Sequence, residues 1–313
     1  MKKIALLSSR IALGLFAPEH RLARSFSHEK MASTQDLSHF IWDYQLLIEA
    51  LTQHQCAPEL VSWDDPDIDW RTFDGVLIHS VWDYYEHQQQ FLTVLREIDA
   101  HTRLFNSLAT VTWNSDKKYL QDLSEAGIPI IASTFIPIVD TPDILAALPN
   151  HDWSQTYVFK PTVSAGASNV FMIKSAEQAE KIYQEYFRHQ HNTLLVQPFI
   201  EEICLEGEWS LIFFSGVYSH GVLKKPEAGD MLVKHSRENQ HTKPSKTMIE
   251  AVEAIYQRLL SVQKEQPLYT RIDVVQRAQG LCVMEIEQIE PYLYLHARSD
   301  AANNLVSGIL QRL

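Results

Sequence analysis

A chain of 313 residues is long for one simple fold and implies two or three structural units. With 45% hydrophobic and 21% charged residues it can fill a real core, which excludes a disordered polymer. Its formal net charge of -12 excludes a general nucleic-acid binder, which needs a basic surface, yet leaves room for one nucleotide in a locally basic pocket. The 3 cysteines, Cys56, Cys204 and Cys282, are scattered without a CxxC pair, so neither a disulfide framework nor a structural zinc site is expected. The apolar run Ile4–Leu7 breaks at Ser8 and reads as a first strand rather than a leader segment. No stretch approaches the ~20 apolar residues of a membrane span, so a cytoplasmic protein without a membrane partner is expected.

The first ~110 residues alternate short apolar runs with helical patterns, an α/β layer. Ile4–Leu7 and Gly75–His79 are predicted strands. Phe40, Ile41, Tyr44, Leu47, Ile48 and Leu51 recur at helical spacing and predict a helix from about Asp36 to Gln53. Polar residues Ala17–Ser38 read as a long loop, and a further helix is predicted over His87–Ala100. Asn114-Ser115-Asp116-Lys117 predicts a helix start with Asn114 or Ser115 as cap, and Gly127 predicts its end. Strands then follow at close intervals: Thr134–Pro137, Tyr157–Pro161, Val170–Ile173, Leu194–Phe199, Trp209–Phe214 and Val217–Lys224. Helices over about Ala176–His189 and Ser245–Gln263 interrupt them. Strands Leu268–Val275 and Leu281–Glu287 precede a last helix from Asp300. This half is α+β, and the division expected is 1–110, 111–195 and 196–313.

The last two strands carry the strongest pattern. Side chains alternate faces along a strand, so Arg271 and Asp273 share a face, as do Glu285 and Glu287. If the hairpin turns about Gln279, Asp273 lies opposite Glu285 and Arg271 opposite Glu287. Carboxylates that close repel unless protonated or shared by a cation, and an oxygen-only ligand set suits Mg²⁺ or Mn²⁺ beside nucleotide phosphates. A solvated hairpin face is the plainer alternative.

Two further segments are suggestive. Lys160 ends the strand Tyr157-Val158-Phe159 and leads into Thr162-Val163-Ser164-Ala165-Gly166-Ala167-Ser168. Small residues there let backbone N–H groups approach phosphate oxygens, although a plain turn is an alternative. The segment is not a P-loop, and no GxGxxG fingerprint occurs. Gln197-Pro198-Phe199 leads into Glu206-Gly207-Glu208; its proline suits a chain crossing between lobes, where an adenine ring can meet exposed backbone.

Taken in this order, Asn114–Lys117, Phe159-Lys160-Pro161, Val196–Ile200, Glu206-Gly207-Glu208, Arg271-Ile272-Asp273 and Glu285-Ile286-Glu287 resemble the ATP-grasp superfamily over about Asn106–Arg298. That resemblance implies paired α+β lobes gripping ATP behind an N-terminal α/β domain. It implies Lys117 and Lys160 as phosphate contacts, Ser164, Gly166 and Ser168 as the covering loop, and Gln197 and Phe199 as the adenine linker. Glu208 is implied as the ribose acid, with Lys224 among the nucleotide contacts. Asp273, Glu285 and Glu287 are implied as magnesium ligands and Arg271 as the arginine that stabilises the reacting group; Glu287 stands where many relatives have Asn. Trp63–Pro66, Val81–Tyr84 and Glu287–Leu295 are similar to a narrower group that includes the O-ureido-D-serine cyclo-ligase. Relatives there commonly carry Arg at the position of His79 and in the segment of Met231 and Leu232. Lys234, on the face of position 232 if that piece is extended, is the candidate to supply the charge. His79, Trp82 and Asp83 are candidate substrate contacts, with packing as the alternative for the aromatic residue.

The expected activity is an ATP- and magnesium-dependent ligation: a small-molecule carboxylate becomes an acyl phosphate and an amine-type nucleophile attacks it, with an intramolecular, ring-closing version included. A phosphotransferase acting on a non-carboxylate acceptor and a nucleotide-binding sensor without turnover are the alternatives. Self-association into a homo-oligomer is left open.

Overall fold

The apolar run at Ile4–Leu7 lies inside a four-stranded parallel sheet in a computed structural model that describes residues 1–17, 19, 38–166, 169–190, 192–226 and 242–313. The sheet comprises β1 (Lys2–Ser8), β2 (Cys56–Ser62), β3 (Gly75–Ser80) and β4 (Arg103–Phe105), in the order β2-β1-β3-β4. Ile4 and Leu6 pack against Leu47 and Leu51 of the helix Ser38–Gln53. Ala5 and Leu7 point the other way, against Phe91, Leu95 and Ile98 of the helix Gln88–His101. Burial on both faces explains the unbroken apolar run. Three elements of this layer escape the pattern reading. β2 carries Pro58 and Glu59, tolerated because it is an edge strand; β4 has 3 residues; and the helix Arg10–Phe16, capped by Ser9, contains Gly14.

The helix predicted to start at Asn114 is two helices, Leu108–Asn114 and Tyr119–Glu125. Ser107, not Asn114 or Ser115, caps the first, accepting from the Thr110 N–H at 3.1 Å. Gly127, at φ +72°, follows the second helix in the left-handed region, as its place in the sequence predicts.

β5 (Thr134–Pro137), β6 (Tyr157–Pro161), β7 (Phe171–Ile173) and β8 (Thr193–Pro198) form an antiparallel sheet in the order β5-β8-β6-β7. Pro198 stands at the end of β8, past its pairing with β5, where the missing N–H breaks no ladder bond. The helix expected over Ala176–His189 is α-helical only to Ile182; a π turn, Tyr183–Phe187, then buries both Tyr183 and Phe187.

The third sheet, also antiparallel, has β9 (Glu208–Phe214), β10 (Val217–Lys224), β11 (Tyr269–Arg277) and β12 (Gly280–Glu287) in the order β10-β9-β11-β12. The helix Lys246–Gln263, capped by Ser245, covers one face together with Tyr119, Leu120 and Leu123 from the middle of the chain. The helix Ala301–Leu310 returns to the first sheet and packs its Leu305, Val306 and Ile309 into the same core as Leu47 and Leu51. Among the described residues no helix is long and apolar enough to cross a membrane.

Candidate active site

The register of β11 and β12 decides the site. From the turn outward Arg277 pairs with Gly280, Gln276 with Leu281, Val275 with Cys282 and Val274 with Val283. Continued without interruption, that register would put Met284 opposite Asp273 and send Glu285 and Glu287 to the other face. Instead a bulge falls between Asp273 and Val274, Met284 is the extra residue, and Asp273 pairs with Glu285 and Arg271 with Glu287. The irregularity therefore produces the single charged face that alternation predicts.

On that face Arg271 is the hub. Its Nε reaches Asp273 Oδ1 at 3.0 Å, its Nη2 reaches Asp273 Oδ2 at 2.8 Å, and Nη2 also bonds Glu287. Asp273 additionally accepts from Ser210 Oγ at 2.6 Å and from Lys224 Nζ at 3.3 Å, while Lys224 pairs with Glu208. Burial alone would raise the Asp273 pKa, but Arg271 and Lys224 hold the carboxyl well below its ordinary range. Glu287 differs: burial, with Glu285 and Asp273 beside it, outweighs Arg271 and pushes it up to about 7. Glu285 and Glu287 each keep 29% of the side chain open, so both have oxygen atoms within reach of a ligand. Among the described residues no three metal-ligating side chains form a ready cage, because Arg271 stands between Asp273 and Glu287.

Lys117 and Lys160 differ in their commitments. Lys117 donates to the Ser164 carbonyl at 2.7 Å and pairs with Glu285 at 3.0 Å, so it ties the small-residue loop to the carboxylates. The Lys160 side chain makes no hydrogen bond or ion pair among the described residues. Burial lowers its pKa, and the charge of Glu285 only partly opposes that. Gly166 sits at φ +59° in the same loop, a conformation that suits glycine. Gln197 is buried and donates to Ser133 Oγ at 2.9 Å; the Phe199 N–H bonds the Thr156 carbonyl at 2.8 Å. Ser168 and Lys234, with Met231 and Leu232, lie outside the described residues.

The N-terminal layer contributes a second wall. His79, Ser80 and Trp82, at the carboxyl end of β3, line a cavity with Phe16, Phe40 and Glu290. Asp83 does not line it: its carboxylate accepts from Trp63 Nε1 at 2.8 Å, a packing role. Sequence reasoning missed Glu290 as a site residue, although the segment Glu287–Leu295 contains it. It also missed three residues that hold the hairpin. Asn114 donates to the Ile286 carbonyl at 2.7 Å and accepts from the Gln288 N–H at 2.8 Å. Asn106 donates to the carbonyls of Tyr269 and Gln288, both at 2.9 Å. Tyr119 OH exchanges bonds with both backbone groups of Ile286.

An N-terminal α/β layer, two antiparallel sheets and a cleft of lysines facing carboxylates are the architecture of an ATP-using ligase of the ATP-grasp class. Residues 30–106 match the family model described as the N-terminal domain of D-cycloserine synthetase DcsG. The cycloserine biosynthesis protein DcsG of Streptomyces lavendulae is 29% identical over 289 residues, 87% of this chain and 94% of that one. The crystal structure of D-cycloserine synthetase DcsG superposes with a TM-score of 0.80 at 26% identity, covering 99% of both chains. D-alanine–D-alanine ligase from Bacillus anthracis, in complex with ATP, shares the fold at a TM-score of 0.62 and 12% identity, covering 99% of this chain and 97% of that one.

Proposed function

We propose that this ligase activates the carboxylate of a small amino acid as an acyl phosphate and closes it onto a nitrogen of the same molecule, a cyclo-ligation like that named for its cycloserine-forming relative. The observation that carries the reading is the charged face of β11 and β12, with Lys117 and the uncommitted Lys160 across the cleft. Lys160 is a desolvated cation whose side chain has no partner among the described residues, which suits an anion that arrives with the substrate. Glu285 and Glu287 are the residues to hold magnesium, with Asp273 as third ligand if it releases Lys224 or Arg271. A buried carboxyl pushed up to about 7 at Glu287 fits a site short of positive charge. Magnesium, when bound, neutralises phosphate oxygens during transfer.

The residues of the chain do the rest. Lys117 and Lys160 orient the triphosphate, under the loop that carries Ser164, Gly166 and Ser168. Gln197 and Phe199 flank the adenine, and Glu208, held by Lys224, takes the ribose. A carboxylate oxygen of the substrate attacks the γ-phosphorus, ADP leaves, and a mixed anhydride forms. The nitrogen then attacks the carbonyl carbon, phosphate leaves, the C–N bond forms and the nitrogen gives up its proton. Arg271 is placed to stabilise charge developing on the carbonyl oxygen, with Lys234 as a second cation. Most of the acceleration is positional and electrostatic.

The test supplies ATP, magnesium and O-ureido-D-serine, and measures ADP release with hydroxylamine present. A hydroxamate supports the ligase. ADP with a phosphorylated acceptor and no hydroxamate would point to the phosphotransferase alternative, and nucleotide binding without ADP release to the sensor.

A further inference from the structure

The cavity beside Trp82 has a volume of about 40 Å³. A water needs roughly 10–15 Å³ of such space, so the cavity has room for a small head group. Its walls are aromatic: Trp82 meets Phe16 and Phe40 edge-on, with ring centroids 5.8 and 5.3 Å apart. Most polar groups around it are committed. Asp43 accepts from the N–H groups of Leu295 and His296 at 2.7 and 3.1 Å and pairs with the His296 ring. Tyr269 OH donates to the Ile289 carbonyl at 2.8 Å, and Ser80 Oγ bonds His79 Nδ1 at 3.1 Å. Glu290 is the exception: among the described residues no side chain donates to its carboxylate. No lysine or arginine lines the cavity among the described residues. Burial lowers the His79 pKa to about 4, so that ring brings no charge at pH 7, and burial also raises the Glu290 pKa well above the ordinary carboxylate range, so its carboxyl lacks a counter-charge that would let it ionise.

A buried acid to which no side chain donates among the described residues, set beside aromatic rings, complements an incoming cation: the cation supplies the charge that lets the acid ionise, and the ring quadrupole adds to the attraction. Resting on the ligase reading above, we infer that Glu290, with Phe16, Phe40 and Trp82, forms the subsite for the α-ammonium group of an amino-acid substrate. Glu290 lies within electrostatic range of Glu287 and Lys117, so a substrate anchored there presents its carboxylate to the phosphate side of the cleft.

Calorimetric titration of the full chain with MgADP bound tests this, using O-ureido-D-serine and 3-(ureidooxy)propanoic acid, which lacks only the amino group. The amino acid is expected to bind at least tenfold more tightly. Glu290→Gln should abolish that preference without weakening MgADP or the desamino acid, and Glu290→Asp should keep part of it. Equal binding of both acids to the wild type, binding of neither, or equal weakening of both by Glu290→Gln overturns the subsite. The two readings fail separately. Amine-dependent binding without any hydroxamate would sink the ligase and leave the subsite standing. Hydroxamate formed equally from both acids, in wild type and Glu290→Gln alike, would do the reverse.

Discussion

Asp273 and Glu285 stand opposite each other across β11 and β12 because Met284 is an extra residue on its strand. Deleting Met284 should remove the bulge yet leave Asp273 opposite Glu285 and Arg271 opposite Glu287, so the charged face should persist with only its local twist changed. ADP release should therefore fall by less than about tenfold in the deletion variant, and Met284→Ala, which keeps the count of residues, should stay within about threefold. A loss of about a hundredfold on deletion would show that the shape of the bulge, and not the pairing alone, sets the site.

Arg271 is buried between two carboxylates, at 4% side-chain exposure. Arg271→Ala leaves Asp273 buried with one cation fewer and should cost about 3–5 kcal/mol in urea unfolding. Arg271→Lys keeps the charge but loses the fork that reaches Asp273 and Glu287 together, so stability should recover more than turnover. Steady-state kinetics beside the unfolding curves separate the two effects.

Lys160 should behave in the opposite way. It has no ion pair to lose among the described residues, and burial penalises its charge. Lys160→Met should leave the melting temperature unchanged or raise it, while MgATP affinity drops by about tenfold or more, roughly 1.4 kcal/mol. Unchanged nucleotide affinity would remove Lys160 from the phosphate site.

Asn114 connects the helix Leu108–Asn114 to both backbone groups flanking Glu287. Asn114→Ala strands the buried Gln288 N–H and leaves the Ile286 carbonyl with only its bond from Tyr119 OH, at a cost of about 1–3 kcal/mol. Because the carboxylates ride on this strand, magnesium dependence of ADP release should shift to higher concentration. An unfolding loss without that shift would confine Asn114 to stability.

His220 is buried, with its ring bonded to Ser219 Oγ and the Leu293 carbonyl, each at 2.9 Å. Burial lowers its pKa from 6.5 to about 4, against the opposing Leu293 bond and the charge of Asp43; Arg298 adds to the lowering. Between pH 4 and 6.5 the unfolded chain binds the proton and the folded chain does not, so stability falls as pH falls through that window. One such group contributes a slope of about 1.4 kcal/mol per pH unit. His220→Gln should flatten the acid limb of the stability profile by that amount, leaving the share due to His79, whose pKa burial likewise lowers to about 4.

Alternation of side chains was enough to put Arg271 with Asp273 and Glu285 with Glu287 on a shared face of each strand, because strand periodicity is a local property of the backbone, but bringing the two pairs onto one face took the bulge at Met284. The same locality located the cores of most strands and the helices at Ser38–Gln53, Gln88–His101 and Lys246–Gln263. β2 escaped because an edge strand tolerates Pro58 and Glu59, which erase the apolar signal. Asn114 looked like a cap from its neighbours in sequence, but its partners lie more than 170 residues away, at Ile286 and Gln288. That Lys117 is tied up while the Lys160 side chain has no partner among the described residues, and that Glu290 lines an aromatic cavity, follow from which elements pack together. Periodicity reports which face a residue occupies. Only packing across three sheets decides what stands opposite, and it is the opposing charge or its absence that gives each group its chemistry.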